Sequence, residues 1–255
     1  MVRLQWTTLA SECARVWFTL RAGGVSAPPY DTLNLADHVG DDPDAVAENR
    51  RRVAKVLAEK GDVPEDPDEW VWLRQVHGAR VVEATDASVS GAEADAVFTT
   101  VPDLPLVVLA ADCVPIALAT TDAVAAVHAG WKGLEAGVIG NAVRALDPDG
   151  SRVVEAVIGP SARACHYEFG EADLERLTAR FGPHVAQRTL DGRPALDLLA
   201  ATQIALYEAG VLTMHKQRRE CTVHDADRWF SHRRDGVTGR QAMIVTRWKR
   251  TPPTP

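Results

Sequence analysis

The stretch that most constrains the fold of this chain runs from Leu106 to Gly133: LVVLAADCVPIALATTDAVAAVHAGWKG. Three short apolar runs, at 106–110, 114–119 and 123–128, are separated by Ala-Asp-Cys and by a turn at Thr120–Asp122. Short apolar runs bounded by turn signals are the pattern of strands buried on both faces. A chain carrying three in succession must cover a sheet from both sides. Two polar side chains mark the ends of these runs: Cys113 opens the second and His128 closes the third. His77, in QVHG, follows a further apolar stretch, WVWLRQV, and is expected at a strand end too.

The rest of the chain supplies the cover. Residues 14–21 alternate like a strand and stop at Gly23-Gly24. After the loop YDTLNLADHVG, Asp42 reads as an N-cap with Pro43 in the first turn, and the spacing predicts a helix to about Lys60, ending at Gly61. Strands are expected at 70–77 and 79–84 around Gly78, at 152–158, and through QAMIVTRW. Helices are expected near 134–146, 171–181 and 196–209. Strands and helices mix without a steady βαβ alternation. The fold class is therefore α+β: a single mixed-sheet domain over 1–250 with flanking helices. TPPTP at 251–255 reads as a frayed tail.

Composition narrows the function. The chain has 255 residues and a formal net charge of −7, a poor basis for generic binding to nucleic acid or anionic membranes. No run approaches the roughly 18 apolar residues of a spanning helix, and the N-terminus lacks the apolar core of a signal peptide. A cytoplasmic location with reduced thiols is expected. Cys13, Cys113, Cys165 and Cys221 are widely spaced, which argues against a structural zinc finger.

His77, Cys113 and His128 are all zinc-ligand types. Three protein ligands leave the fourth tetrahedral position for water, the arrangement of a catalytic zinc, and a thiolate favours zinc over magnesium. Each residue alone also fits a buried thiol or a hydrogen-bonded structural histidine. Gly130 and Gly133 permit a tight turn before the following helix, whose N-terminus with Lys132 is a candidate anion site. On the helix after Asp42, Asn49 falls within the apolar stripe of Val46, Val53, Val56 and Leu57, with Arg50 beside it. An amide there either holds a neighbouring loop or lines a site.

The motifs GGVS, TLNLADHVGDDPDAVAENR, QVHG, ADAVFT, ADCVPIAL, VHAGWKG, IGPSARACHYEFG, ALDLLAA and CTVHDADRWFSHRRDGVTGRQAMI span nearly the whole chain. In this order they resemble the family called multicopper polyphenol oxidoreductases or laccases. Bacterial members are also labelled peptidoglycan editing factor, and members are regarded as purine nucleoside phosphorylases. Cys165-His166 departs from the Cys-Cys pair the family often shows.

The resemblance implies a zinc held by His77, Cys113 and His128, in a single α+β domain with the metal site in a surface cleft. It implies phosphorolysis of adenosine, inosine, guanosine and methylthioadenosine, and deamination of adenosine. The partners would be purine nucleosides and phosphate, with no nucleic acid or membrane, and the assembly a monomer or small homo-oligomer. Within that reading Asp112 is the candidate proton carrier. Arg50, Lys132 and Arg233 are candidate phosphate ligands, and Asn49 is a candidate contact to ribose or base.

Three alternatives stay open. A copper polyphenol oxidase demands many histidines, largely in H-x-H pairs, whereas this chain has eight histidines and no such pair. Copper could still displace zinc in vitro. An amidohydrolase that edits peptidoglycan precursors would use the same metal-activated water. A non-catalytic nucleoside-binding domain would close the metal with a fourth protein ligand, His232 or Cys165.

Overall fold

The computed structural model of the protein describes residues 2–9, 13–61, 63–216 and 220–248. The expected tail at 251–255 lies outside the described residues. In chain order the strands are β1 (Leu4–Leu9), β2 (Ala14–Thr19), β3 (Val71–Trp72), β4 (Val81–Glu83), β5 (Ala96–Thr99), β6 (Leu106–Ala110), β7 (Val114–Ala119), β8 (Val124–Ala129), β9 (Glu155–Ile158), β10 (Ala186–Arg188), β11 (Pro194–Leu196), β12 (Thr213–Lys216) and β13 (Gln241–Arg247). The helices are α1 (Pro43–Ala58), α2 (Trp131–Glu135), α3 (Val138–Leu146), α4 (Glu171–Phe181), α5 (Leu198–Glu208) and the single turn α6 (His232–Asp235).

The mixed α+β architecture expected from the sequence is present, with the strands divided between two main sheets and a small hairpin. One sheet has five strands in the order β1-β2-β13-β6-β3, the other six in the order β12-β9-β7-β8-β5-β4, and β10 pairs with β11. Side chains alternate across each strand, so the apolar runs serve two layers at once. Ile116 and Leu118 of β7 and Ala125 and Val127 of β8 pack against α3, α4 and α5. Ala117 and Ala119, with Val124 and Ala126, face Val16, Phe18, Val108 and Met243 of the other sheet. The far side of that sheet, through Trp17, Val107 and Ile244, is covered by Val53, Ala54 and Leu57 of α1. The result is four layers, helix on sheet on sheet on helices. Among the described residues no helix is long and apolar enough to cross a membrane.

The connection from β6 to β7 positions the site. These strands are consecutive in sequence yet belong to different sheets, so Ala111-Asp112-Cys113 crosses between layers. Asp112 makes the crossing with φ at 94°. Left-handed backbone is unusual for a side-chain-bearing residue, and Asp is among the types that adopt it most readily.

Three expectations need correction. The strand read over 70–77 is only Val71–Trp72, so His77 lies in a loop and not at a strand end. The cause is Asp95, whose carboxylate accepts the N–H groups of Val76, His77 and Gly78 and removes them from any ladder. The helix read over 134–146 begins earlier, at Trp131, and breaks at Gly137, whose φ of 86° is outside the helical region. The strand read over 152–158 begins only at Glu155.

Asn49 holds a loop. Its Oδ1 accepts the Val25 N–H at 2.8 Å, and its Nδ2 donates to Ser26 Oγ at 2.8 Å and the Asn34 carbonyl at 2.9 Å. The residue is fully buried, so the expected contact to ribose or base is replaced by this role. Gly24 leaves the room it needs: a Cβ there would stand 2.3 Å from Asn49 Oδ1. Buried polar groups stripped of partners are costly. Asn49→Ala is expected to lower unfolding free energy by about 2–4 kcal/mol, measured by urea denaturation, while metal uptake by the folded fraction persists.

Candidate metal centre

The three expected ligands converge. The ligand atoms of His77, Cys113 and His128 all lie within 4.8 Å of one another. Cys113 Sγ is 3.8 Å from His77 Nε2. The rings of His77 and His128 meet edge to face at 4.9 Å. With zinc–sulfur near 2.3 Å and zinc–nitrogen near 2.0 Å, a tetrahedral ion separates S from N by about 3.5 Å, so the cluster fits such an ion. Gly130 preserves the space, because a Cβ there would sit 3.0 Å from both Cys113 Sγ and His77 Cδ2. Among the described residues the cluster has three members, and all three line one cleft.

Each ligand is aimed by the backbone. His128 is the fifth residue of β8 and projects toward the gap between the sheets, on the face of Val124 and Ala126. Its N–H donates to the Asp95 carbonyl at 2.7 Å. Cys113 emerges from the sheet-to-sheet crossing. His77 has φ at 59°, imposed by the three N–H groups that converge on Asp95.

Asp95 is the residue the sequence reading missed. It is fully buried, and its Oδ1 stands 2.8 Å from His128 Nδ1 while also accepting the His77 N–H at 2.9 Å. A carboxylate accepts, so Nδ1 carries the hydrogen and Nε2 is left for a cation. Burial works to raise the Asp95 carboxyl, but His128 and the Gly78 and Val76 N–H groups outweigh it and hold it below its ordinary value. The available signal was an Asp beside a strand in ADAVFT, with nothing nearby in sequence to name its partner.

Thiol and imidazole tune each other. Burial would raise the Cys113 thiol, yet His128 and then His77 outweigh it and bring it down to about 6. Burial would lower His128, yet the Cys113 thiolate and Asp95 raise it to about 9. The pair is poised as thiolate and imidazolium.

The cleft in front of these ligands encloses about 400 Å³ and includes Gln75, Trp131, Tyr167, His232, Arg233 and Arg240 in its lining. That falls within the usual range for small-molecule sites, about 300–1,000 Å³. Arg233 is tied by its N–H to Asp112 Oδ2 at 2.6 Å and by its guanidinium to the Glu168 carbonyl at 2.9 Å, 4.5 Å above the Tyr167 ring. Burial, and then Cys113, pushes the Tyr167 phenol up to about 12. Arg240 donates to the Thr238 and Gly239 carbonyls, and its backbone N–H is held by Asn34 Oδ1 at 2.9 Å. Tyr167 and Arg240 went unnoticed in the sequence because each is a lone residue far from the ligands along the chain.

The remaining expected residues fall as follows. Asp112 lines the cleft, and its two carboxylate oxygens accept from the Thr222 hydroxyl and the Arg233 N–H, both at 2.6 Å. Arg50 lies in an adjoining pocket that shares His38 and Leu109 with the cleft, stacked 4.1 Å from Trp72 and paired with Asp37. Lys132 is exposed on α2, beside the Trp131 ring, and is absent from the cleft lining. Cys165 sits with His166 and Cys221, apart from the three ligands, and His232 Nδ1 is 2.5 Å from the Gly236 carbonyl. Neither is part of the first cluster.

Fold and site together define a four-layered α+β protein that presents two imidazoles and a thiol to a small-molecule cleft. The chain belongs to the multi-copper polyphenol oxidoreductase laccase family, whose model matches residues 15–248. A Streptomyces coelicolor protein named purine nucleoside phosphorylase is 44% identical over 91% of this chain and 95% of its own length. One from Corynebacterium glutamicum with the same name is 40% identical over 89% of this chain and 92% of its own. Among solved structures, a Neisseria meningitidis protein of the DUF152 group has a TM-score of 0.84 at 31% identity, covering 96% of this chain and 99% of its own. YlmD from Geobacillus stearothermophilus has a TM-score of 0.83 at 31% identity, covering 93% of each chain.

Cation binding should follow the protons it displaces. His128, raised to about 9, is protonated at neutral pH, and Cys113 gains a proton below about 6. Apparent zinc affinity is expected to rise about tenfold per pH unit from 6 to 9, more steeply below 6, and to flatten above 9, as read by chelator competition. Asp95→Asn should weaken affinity by about 10- to 100-fold at neutral pH in the same assay.

Proposed function

We propose that the protein is a zinc-dependent purine nucleoside phosphorylase that accepts adenosine, inosine, guanosine and methylthioadenosine and also deaminates adenosine. The observation that carries this reading is the convergence of His77, Cys113 and His128 on a cleft that Arg233 and Arg240 also line. The 44% and 40% identical relatives named purine nucleoside phosphorylase support it. Two imidazoles and a thiolate favour zinc among the common divalent ions. When bound there, zinc supplies a Lewis acid and an activated water, as attack on C6 of adenine requires.

In phosphorolysis a phosphate oxygen bonds to C1′ of the ribose as the C1′–N9 bond breaks. The electron pair leaves on the purine, which takes up a proton, and the products are free base and ribose 1-phosphate. Arg233 and Arg240 are assigned to the phosphate, since guanidinium forks match its oxygens. Arg240 takes over the part that the sequence suggested for Lys132. With its phenol near 12, Tyr167 stays protonated at neutral pH and can donate to a ribose hydroxyl. Asp112 is assigned to positioning Arg233, because both its oxygens already hold partners. The adjoining pocket of Arg50 and Trp72, about 610 Å³, offers room beyond the cleft for the substrate's far end.

The test is mass spectrometry of products from adenosine incubated with purified protein, with and without phosphate. Adenine and ribose 1-phosphate appearing only with phosphate are expected, together with inosine or hypoxanthine from deamination. Adenosine recovered unchanged under both conditions would overturn the reading. Cys113→Ser is expected to abolish turnover while the melting transition stays cooperative. Arg240→Ala should raise KM for phosphate about tenfold or more, matching the loss of a charge-assisted contact.

A further inference from the structure

A second group of metal-ligand side chains lies outside the cleft. The ligand atoms of Cys165, His166 and Cys221 fall within 4.8 Å of one another. His166 Nδ1 is 3.0 Å from Cys165 Sγ and 3.8 Å from Cys221 Sγ. These values straddle the S-to-N separation of about 3.5 Å that a tetrahedral thiolate–imidazole ion requires. The ring of His224 stands 5.4 Å from that of His166.

The backbone brings these residues together from two distant segments. Cys165 and His166 occupy a turn closed by the His166 and Tyr167 N–H groups on the Arg163 carbonyl. Cys221 bridges to Ser161, and the next turn is closed by the His224 and Asp225 N–H groups on the Cys221 carbonyl. One turn thus presents a thiol and an imidazole and the other a thiol to a common point, so that two distant segments could share one ion.

We infer that Cys165, His166 and Cys221 form a second metal site for a thiophilic cation such as zinc. On binding, the two thiols release their protons to solvent and the His166 imidazole coordinates as a neutral group. The ion ties the turn before Tyr167 to the segment bearing Thr222, whose hydroxyl donates to Asp112. It therefore acts as a structural clamp behind the cleft and does not touch substrate.

Cobalt titration of the full-length reduced protein tests this, because thiolate-to-cobalt charge transfer reports sulfur ligation. Wild type should take up about two equivalents and Cys113→Ser about one, the latter retaining the charge-transfer band. Adding Cys221→Ser should remove that band. His166→Gln, which keeps both thiols, should weaken cobalt binding in the Cys113→Ser background by about tenfold or more and so guards against a misfolded cysteine variant. A Cys113→Ser protein that takes up no cobalt, or takes it up without the band, would overturn the inference. A Cys165–Cys221 disulfide in the purified protein, seen as a loss of two hydrogens that reductant reverses, would overturn it too. The first cluster is read separately by the equivalent lost in Cys113→Ser.

Discussion

The centre of this protein rests on one buried carboxylate. Asp95 receives three consecutive backbone N–H groups and the Nδ1 hydrogen of His128. A buried carboxylate is tolerated only when its oxygens are satisfied, so these groups must gather around it as the chain folds. Their gathering bends the 76–78 loop into the conformation that turns His77 toward Cys113. It also sets the tautomer of His128. Two of the three candidate ligands are therefore aimed by a residue outside the cluster.

The site is also a product of layering. The β6–β7 connection leaves one sheet and enters the other, and Cys113 sits at that step. His128 comes from the six-stranded sheet, while the backbone of Arg240, just before β13 of the five-stranded sheet, hangs from Asn34 in the loop that Asn49 secures. The candidate metal ligands and the guanidinium groups thus approach the same cleft from different layers. The chain is acidic overall, with a net charge of −7, yet Arg233 and Arg240 converge on this cleft, so the attraction for an anion is local.

How much the sequence disclosed depended on how far each cause lay along the chain. The runs at 106–110, 114–119 and 123–128 were legible to within a residue because burial on both faces leaves an unbroken apolar signature. The helix beginning at Pro43 was legible from its Asp42 cap, whose side chain accepts the Asp44 N–H. β1 was missed because its residues are mostly half-exposed and carry no strong alternation. The 70–77 segment misled because its apolar character reflects local packing while its N–H groups answer to a carboxylate 17 to 19 residues away. Asn49 left two roles open, and only the loop it holds decides between them. Tyr167 and Arg240 acquire meaning through neighbours brought near by folding, and no local pattern encodes that.

The placement of β13 bears on how the protein is made. This strand lies in the interior of its sheet, hydrogen-bonded to β2 on one side and β6 on the other. The Ala242 N–H reaches Thr19 Oγ1 across 223 positions of sequence. A ribosome delivers residues in order, so β1 and β2 wait for almost the whole of synthesis before a neighbour exists to separate them from β6. In the six-stranded sheet only the edge strand β12 is made late, since the other five strands come from residues 81–158. Until the last strand slots in, the nascent chain exposes two unsatisfied sheet edges, and that interval is when it is most vulnerable to pairing with the wrong partner.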